Sequence, residues 1–228
     1  LNPFGEESFL VLNLPNPNLR WERIGMLNFG IDFSLLKRRI AGTIEYYQKN
    51  GKDIIGNSPL PPQVGVTSFK GNTANISGKG LDVIISTTNL EGKLTWNTQI
   101  LYSYNIDKIT DYEVKTTSLG FHEGYPFSAV FSYRWAGLDA SGNPQGFLHG
   151  EPSKSWAAIM KIDSVGVNTL YIGPGMPVYF GSIRNTVRWK GLSFSFNILY
   201  KGGYYFRRRT INYTNLSGSF TEIHSDYQ

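Results

Sequence analysis

Hydrophobic and polar positions alternate along much of this chain with a period of two. Near the C-terminus, Tyr179, Gly181, Ile183, Val187 and Trp189 lie on one face, which Asn185 interrupts. Phe180, Ser182, Arg184, Thr186, Arg188 and Lys190 make the other. A tight Lys190-Gly191 turn follows, and then Leu192, Phe194, Phe196, Ile198 and Tyr200 alternate with Ser193, Ser195 and Asn197. Each arm is about ten residues, the length at which a tilted strand crosses a bilayer. Aromatic residues sit at the ends of the apolar faces, as interfacial girdles do, while the opposite faces are small, polar or basic, as a barrel lumen is.

The same rhythm runs upstream. Trp21 to Leu36 sets Leu27, Phe29, Ile31 and Phe33 against Asn28, Gly30 and Asp32. After a turn near residues 36–38, Ile40, Gly42, Ile44 and Tyr46 continue the apolar face, with Thr43 and Glu45 opposite. The pattern predicts an antiparallel hairpin. Ile76 to Thr88 predicts a strand, residues 89–93 a turn, and Leu94 to Asn105 a strand whose face holds Leu94, Trp96, Ile100, Tyr102 and Tyr104. Phe127 to Leu138 is strand-like, and Trp156 to Ile162 fits a strand or a short helix. Three stretches read as long loops: Gln48 to Asn75 with three prolines, Lys108 to Pro126, and Gly202 onward. Val165 to Gly175 reads as a Gly-rich loop. Short turns thus alternate with long loops, the asymmetry of an outer-membrane barrel. The fold class expected is all-β: about eight antiparallel strands in hairpins, part of the wall of a large transmembrane β-barrel.

Composition narrows the chemistry. No run of 18 apolar residues occurs, so no transmembrane helix is expected. The mean hydropathy of -0.25 fits a barrel, whose lumen-facing residues dilute the apolar signal. Zero Cys excludes disulfides and thiolate chemistry. The net charge of +5 is scattered apart from Lys37-Arg38-Arg39 and Arg207-Arg208-Arg209, too sparse for a nucleic-acid footprint. The first cluster reads as a solvated periplasmic turn. His122, His149 and His224 lack metal-ligand spacing, and no G-x-S-x-G or P-loop occurs. No cofactor, no metal and no catalysis are expected. Asn75, Asn212 and Asn215 begin sequons that read as chance matches.

Several stretches carry a resemblance. Asn16-Pro-Asn-Leu-Arg-Trp-Glu22, Ile44-Glu-Tyr-Tyr47 with Lys52-Asp-Ile-Ile55, and Asn75-Ile-Ser-Gly-Lys-Gly-Leu-Asp82 occur in that order. Tyr133-Arg-Trp-Ala-Gly-Leu-Asp139 with Gly142-Asn-Pro-Gln-Gly146, Tyr179-Phe-Gly181, and Lys201-Gly-Gly-Tyr-Tyr205 follow. Together they resemble the barrel of SusC/RagA-family TonB-dependent receptors. The resemblance implies a Gram-negative outer-membrane importer of glycans or peptides. It implies a SusD-like surface lipoprotein, a TonB complex reached through an N-terminal part, outer-membrane lipid, and a barrel of about 22 strands with a plugged lumen. Residues 1–228 then read as a C-terminal part of the barrel domain, without plug or TonB box and with both ends in loop. Some eight strands would not close such a barrel, so function would belong to the whole receptor.

Ligand-contact candidates in the long loops are Phe121, His122 and Tyr125, and Tyr204, Tyr205, Phe206 and Arg207, since sugars are held by aromatic faces plus a few polar groups. The same aromatics also suit girdle or loop packing. Trp135 suits fixing a loop against the wall. Arg184 and Arg188 share one strand face, where they would meet lumen water or acidic groups of the plug. The alternative architecture is a soluble all-β carbohydrate-binding module with Leu94, Trp96 and Ile100 in a sandwich core.

Overall fold

The computed structural model describes residues 15–208, apart from 61, 62, 64, 65, 67, 115–119, 162–164, 166 and 167. Residues 1–14 and 209–228, with Arg209, His224, both C-terminal sequons and the expected terminal loops, lie outside it. Among the described residues there are eleven strands and one short helix. Six strands form one antiparallel sheet in the order β1 (Arg23–Leu35), β2 (Ile40–Pro59), β3 (Ser68–Leu90), β4 (Leu94–Tyr112), β10 (Tyr179–Trp189) and β11 (Leu192–Gly202). The sheet is a wall, and it does not close on itself. The remaining elements lie between β4 and β10: β5 (Ala129–Tyr133) pairs with β9 (Thr169–Pro174), β6 (Gly137–Leu138), β7 (Pro144–Leu148) and β8 (Glu151–Ser153) form a small sheet, and α1 spans Trp156–Ile159.

The register puts the period-two pattern to use. Phe29, Tyr46, Leu81, Tyr104 and Tyr179 are successive cross-strand partners. So are Ile31, Ile44, Val83, Tyr102, Gly181 and Tyr200. One face of the wall is therefore mainly apolar and aromatic. Phe29, Ile31, Phe194 and Ile198 on it are more than half exposed. Among the described residues, only Ala74, Ile109, Phe131 and Ile159 are buried hydrophobics, and none lies under this face. A single-layer sheet with an uncovered apolar side suits lipid and not water. The sandwich alternative fails here: no second sheet covers Leu94 or Trp96, which are 42% and 40% exposed.

Trp189 and Tyr179 mark the ends of this face. The ten residue steps from one to the other span about 33 Å along the strand, or about 25 Å vertically at a barrel tilt of about 40°, the height of an outer-membrane apolar band. Asn185, the polar interruption, accepts hydrogen bonds from Trp96 Nε1 at 3.0 Å and Thr98 Oγ1 at 2.7 Å. Tyr200 folds across Gly181 and donates to the Leu101 carbonyl. A Cβ at Gly181 would overlap that carbonyl oxygen and the Tyr200 hydroxyl, so glycine is required for the close approach.

All three connections at the Trp189 end are short. Residues 36–39 turn with positive φ at Leu36, Lys37 and Arg38; residues 91–93 form the second turn; Lys190 (φ 45°) and Gly191 (φ 83°) form a two-residue hairpin loop. At the other end the connections are long, but two are more ordered than the sequence predicts. Gln48 to Asn75 is not a loop: β2 and β3 continue as a paired hairpin as far as Pro59 and Ser68, with bulges near Ile54. The Asn16–Glu22 segment latches this extension. Arg20 and Arg23 each reach a different carboxylate oxygen of Asp53 at 2.7 Å. Glu22 accepts from the Ile55 N–H, and Asn72 bonds the backbone of both Arg20 and Asp53. Likewise β4 runs on to Tyr112, four residues past Lys108, where a loop was expected. Val165 to Gly175, expected as loop, contains β9. Trp156 opens a helix of one turn.

Within the excursion, Asp139 organises the Leu138–Gly146 turn. Its carboxylate accepts from the backbone N–H of Ser141 and Asn143 and pairs with Lys154 Nζ at 2.8 Å. Lys154, then Asn143, then the Ser141 N–H hold its pKa well below the usual carboxylate range. Trp135 does not anchor this region and is 61% exposed. Trp156 does so, packing on Gly146 and donating to the Pro144 carbonyl.

Two outcomes are expected. Ile183→Arg, near mid-height on the apolar face, lowers the unfolding free energy of the full-length receptor in micelles by about 2–4 kcal/mol. Thr186→Arg on the other face has a much smaller effect; equal effects in a urea titration would rule out a lipid-facing side. For Asp139, the folded pKa lies below the unfolded one, so its contribution is complete above the ordinary Asp range near about 4 and is lost as pH falls through the depressed value. Amide protection at Ser141 and Asn143, followed by hydrogen exchange, holds at neutral pH and fades only in strong acid. Asp139→Ala removes it at neutral pH.

Candidate functional site

The two groups of ligand-contact candidates are far apart in sequence, and the fold brings them to the same small sheet. β5 and β9 stand at the long-loop end of the wall. The Gly175 N–H bonds the Ser128 carbonyl, and the Ile109 N–H at the top of β4 bonds the Tyr125 carbonyl. Phe131, fully buried, is the centre. His122 packs edge-on to it at 4.9 Å between ring centroids and Tyr125 at 5.2 Å, and Tyr171 closes the cluster at 5.0 Å from Tyr125. From the other side, the Tyr205 N–H bonds the Pro174 carbonyl, and its ring covers Gly173. Arg207 donates to the Phe131 carbonyl.

These contacts divide the candidates. His122 and Tyr125 are partly buried and act as packing groups. Tyr205 and Arg207 keep exposed surface but tie the chain after β11 to β5 and β9. Phe121, Tyr204 and Phe206 are 39%, 40% and 77% exposed; Tyr205 is 50% exposed, with its ring laid over Gly173. Phe121 stacks on Phe127 at 4.8 Å and meets Tyr112 edge-on, so three rings make a platform that the sequence pattern did not single out. Tyr171 was also missed, because it falls in the stretch that reads as Gly-rich loop. Burial, with the Asp107 charge second, pushes the Tyr171 pKa up, so its hydroxyl stays protonated and remains a donor.

His122 Nε2 and both polar atoms of the Asn168 side chain are buried without a hydrogen-bond partner. Ordered water ordinarily satisfies such groups in folded proteins. Among the described residues, no cluster of three or more His, Asp or Glu side chains could hold a metal ion.

Arg184 and Arg188 lie on the polar face of the wall, both exposed. Arg184 aligns with Gln99 and Asn197, and Arg188 with Thr95 and Ser193. Neither forms an ion pair among the described residues. The face also holds groups that sequence patterning passed over. Leu101 and Leu199 are apolar there, and Glu45 and Asp82 stand directly opposite one another on β2 and β3.

Comparison with known proteins adds an independent line. No family model matches the chain. It is 25% identical over 232 residues to TonB-dependent receptor P3 of Formosa agariphila, an alignment covering 91% of this chain and 22% of that protein. It is 26% identical over 222 residues to TonB-dependent receptor SusC of Bacteroides thetaiotaomicron, covering 86% and 21%. It is 30% identical over 138 residues to TonB-dependent receptor P39 of Formosa agariphila, covering 55% and 13%. The chain thus spans about a fifth or less of these relatives. In fold it matches the RagAB peptide importer in its closed-closed state with a TM-score of 0.70 at 22% identity, over 83% of this chain and 22% of that one. The open-open state of the same importer gives 0.68. The matching relatives, the shared fold and the membrane-height apolar face agree: the chain is similar to a segment of the TonB-dependent receptors, SusC among them, and has the fold of barrel-wall strands with long loops at one end.

Proposed function

We propose that this segment serves a Gram-negative outer-membrane importer of glycans or peptides, as part of the C-terminal region of its barrel. A SusD-like lipoprotein covers the mouth, and TonB supplies energy through another part of the polypeptide. The observation that carries this reading is the single-layer wall with a 25 Å-class apolar face, short turns below and a folded excursion above. The excursion and the chain after β11 form one side of a ligand chamber. Phe121, Tyr204 and Phe206 offer aromatic faces to the cargo, with Arg207 beside them. His122, Tyr125 and Tyr205 hold the platform in shape. Arg184 and Arg188 face the lumen and the plug. The segment has no catalytic role: it binds and passes cargo on unchanged.

The experiment is uptake and binding by the full-length receptor with its lipoprotein. The probe is a mixture of oligosaccharides and oligopeptides, with captured ligands identified by mass. Deleting TonB should abolish uptake and leave surface binding intact. Phe206→Ala combined with Tyr204→Ala should weaken binding by about 1–2 kcal/mol, roughly tenfold in Kd, without altering the barrel. Uptake that persists without TonB would overturn the importer mechanism, and unchanged affinity would remove these rings from the chamber.

A further inference from the structure

The apolar side of the wall has a largely aromatic row at the long-loop end: Phe29, Tyr46, Leu81, Tyr104 and Tyr179. β2, β3 and β4 run on past this row in unbroken register for four more residues. Successive residues of a strand alternate between faces, so positions two and four steps further keep the same side. Gln48, Lys79 and Ile106 are partners in the first row beyond, and Asn50, Ser77 and Lys108 in the second. At about 3.3 Å per residue and a tilt of about 40°, these rows stand about 5 and 10 Å above the aromatic one. That is the headgroup layer, which extends a hydrocarbon core of roughly 30 Å to about 40–45 Å. β2, β3 and β4 are internal to the sheet, so strands added at β1 or β11 leave this surface open.

The chemistry changes at this height. Lys79 and Lys108 are both exposed and sit diagonally on neighbouring strands, within reach of one another. Neither forms an ion pair among the described residues. Together with Gln48, Ser77 and Ile106 they border a concavity of about 350 Å³. Asp107 also borders it, but its carboxylate turns toward the excursion and accepts the Phe127 N–H at 2.7 Å. Ser77 Oγ donates to Asn50 Oδ1 at 2.9 Å, which fixes two neutral polar groups beside the lysines. Two cations over one hollow repel each other when only water fills it; an anion between them replaces the repulsion with two attractions. Lysine binds phosphate as a point charge with three donors, and amides and hydroxyls match the hydroxyls of a sugar.

We infer that Lys79 and Lys108 hold the phosphate of an outer-leaflet glycolipid, with Gln48, Asn50 and Ser77 against its sugar and Tyr46, Leu81 and Tyr104 beside its acyl chains. Charge complementarity and continuity with the lipid-facing side below argue for this occupant. A free phosphate would use the lysines alone. A glycerol phospholipid would offer no sugar ring to the neutral polar groups. The inference rests on the outer-membrane reading, with the long-loop end outside.

The test is titration of the purified full-length receptor in detergent micelles with lipid A, a phosphorylated glycolipid, read by native mass spectrometry. The native receptor should retain lipid A, and the double variant Lys79→Gln, Lys108→Gln should bind it roughly tenfold more weakly. Lipid A stripped of its phosphates should bind the native receptor as weakly as intact lipid A binds the double variant. Lys49→Gln is the control: Lys49 pairs with Gly78 at the same height, and its Nζ lies over the Tyr47 ring on the opposite side of the sheet. Equal affinity in native receptor and double variant, or an equal loss in Lys49→Gln, would overturn the inference. Phosphatidylglycerol binding as tightly as lipid A would also overturn it, assigning the hollow to any anionic headgroup. Displacement of lipid A by inorganic phosphate would overturn it in favour of free phosphate. Heat-modifiable gel mobility separates the two levels of failure. A native receptor with no such folded form overturns the outer-membrane reading itself, whereas a folded receptor indifferent to the lysines overturns only this site.

Discussion

Backbone hydrogen bonding in an apolar medium is the constraint on which the wall depends. In lipid, each N–H and C=O must find its partner within the protein, so the apolar face is tolerable only because the ladder from β1 to β11 is continuous across the membrane-height region. The bulges near Ile54 fall above it, as does the one between Asn75 and Ile76. Where the ladder is broken, side chains of Asn72, Asn75 and Glu22 supply the missing partners. The irregularity at Thr88–Leu90 lies near the short turns, where Asn89 bonds Thr98.

The wall was legible in the sequence because its rule is local. Alternation identifies a strand, and turn chemistry such as Lys190-Gly191 joins two. The upper structure obeys a different rule. The hairpin beyond Gly51 depends on Asp53 meeting Arg20 and Arg23, thirty residues and more away, and no periodicity reports that pairing. The prolines at 59, 61 and 62 argue for a loop, yet β2 runs on to Pro59, its last residue. In β9, Gly173 and Pro174 disguise a strand whose place is fixed by Phe131 and by the Tyr205 ring.

The candidate site was half legible. Aromatic content located the right segments but could not separate the rings that hold the platform from those that face outward. His122 and Tyr125 are drawn inward by Phe131, a residue that alternation presents as an ordinary strand position. Trp156 takes the anchoring part expected of Trp135 for a similar reason: Gly146 leaves space beside the Trp156 indole. The polar face was read as uniform because Leu101 and Leu199 are unremarkable one strand at a time. Only the register places them in one row.

β4 and β10 are neighbours in the wall, yet residues 113–178 separate them in sequence. This junction is the one seam in the sheet that a hairpin does not make. Closing it carries a larger chain-entropy cost than any adjacent pair, and contacts of such sequence separation form slowly. β1 to β4 and the β10–β11 hairpin are therefore two assembly units. In the assembled wall the excursion lies wholly at one end of the strands, since its polar backbone cannot sit in lipid. The docking of the excursion onto the top of β4, where the Ile109 N–H meets the Tyr125 carbonyl, thus braces the one seam that no hairpin secures.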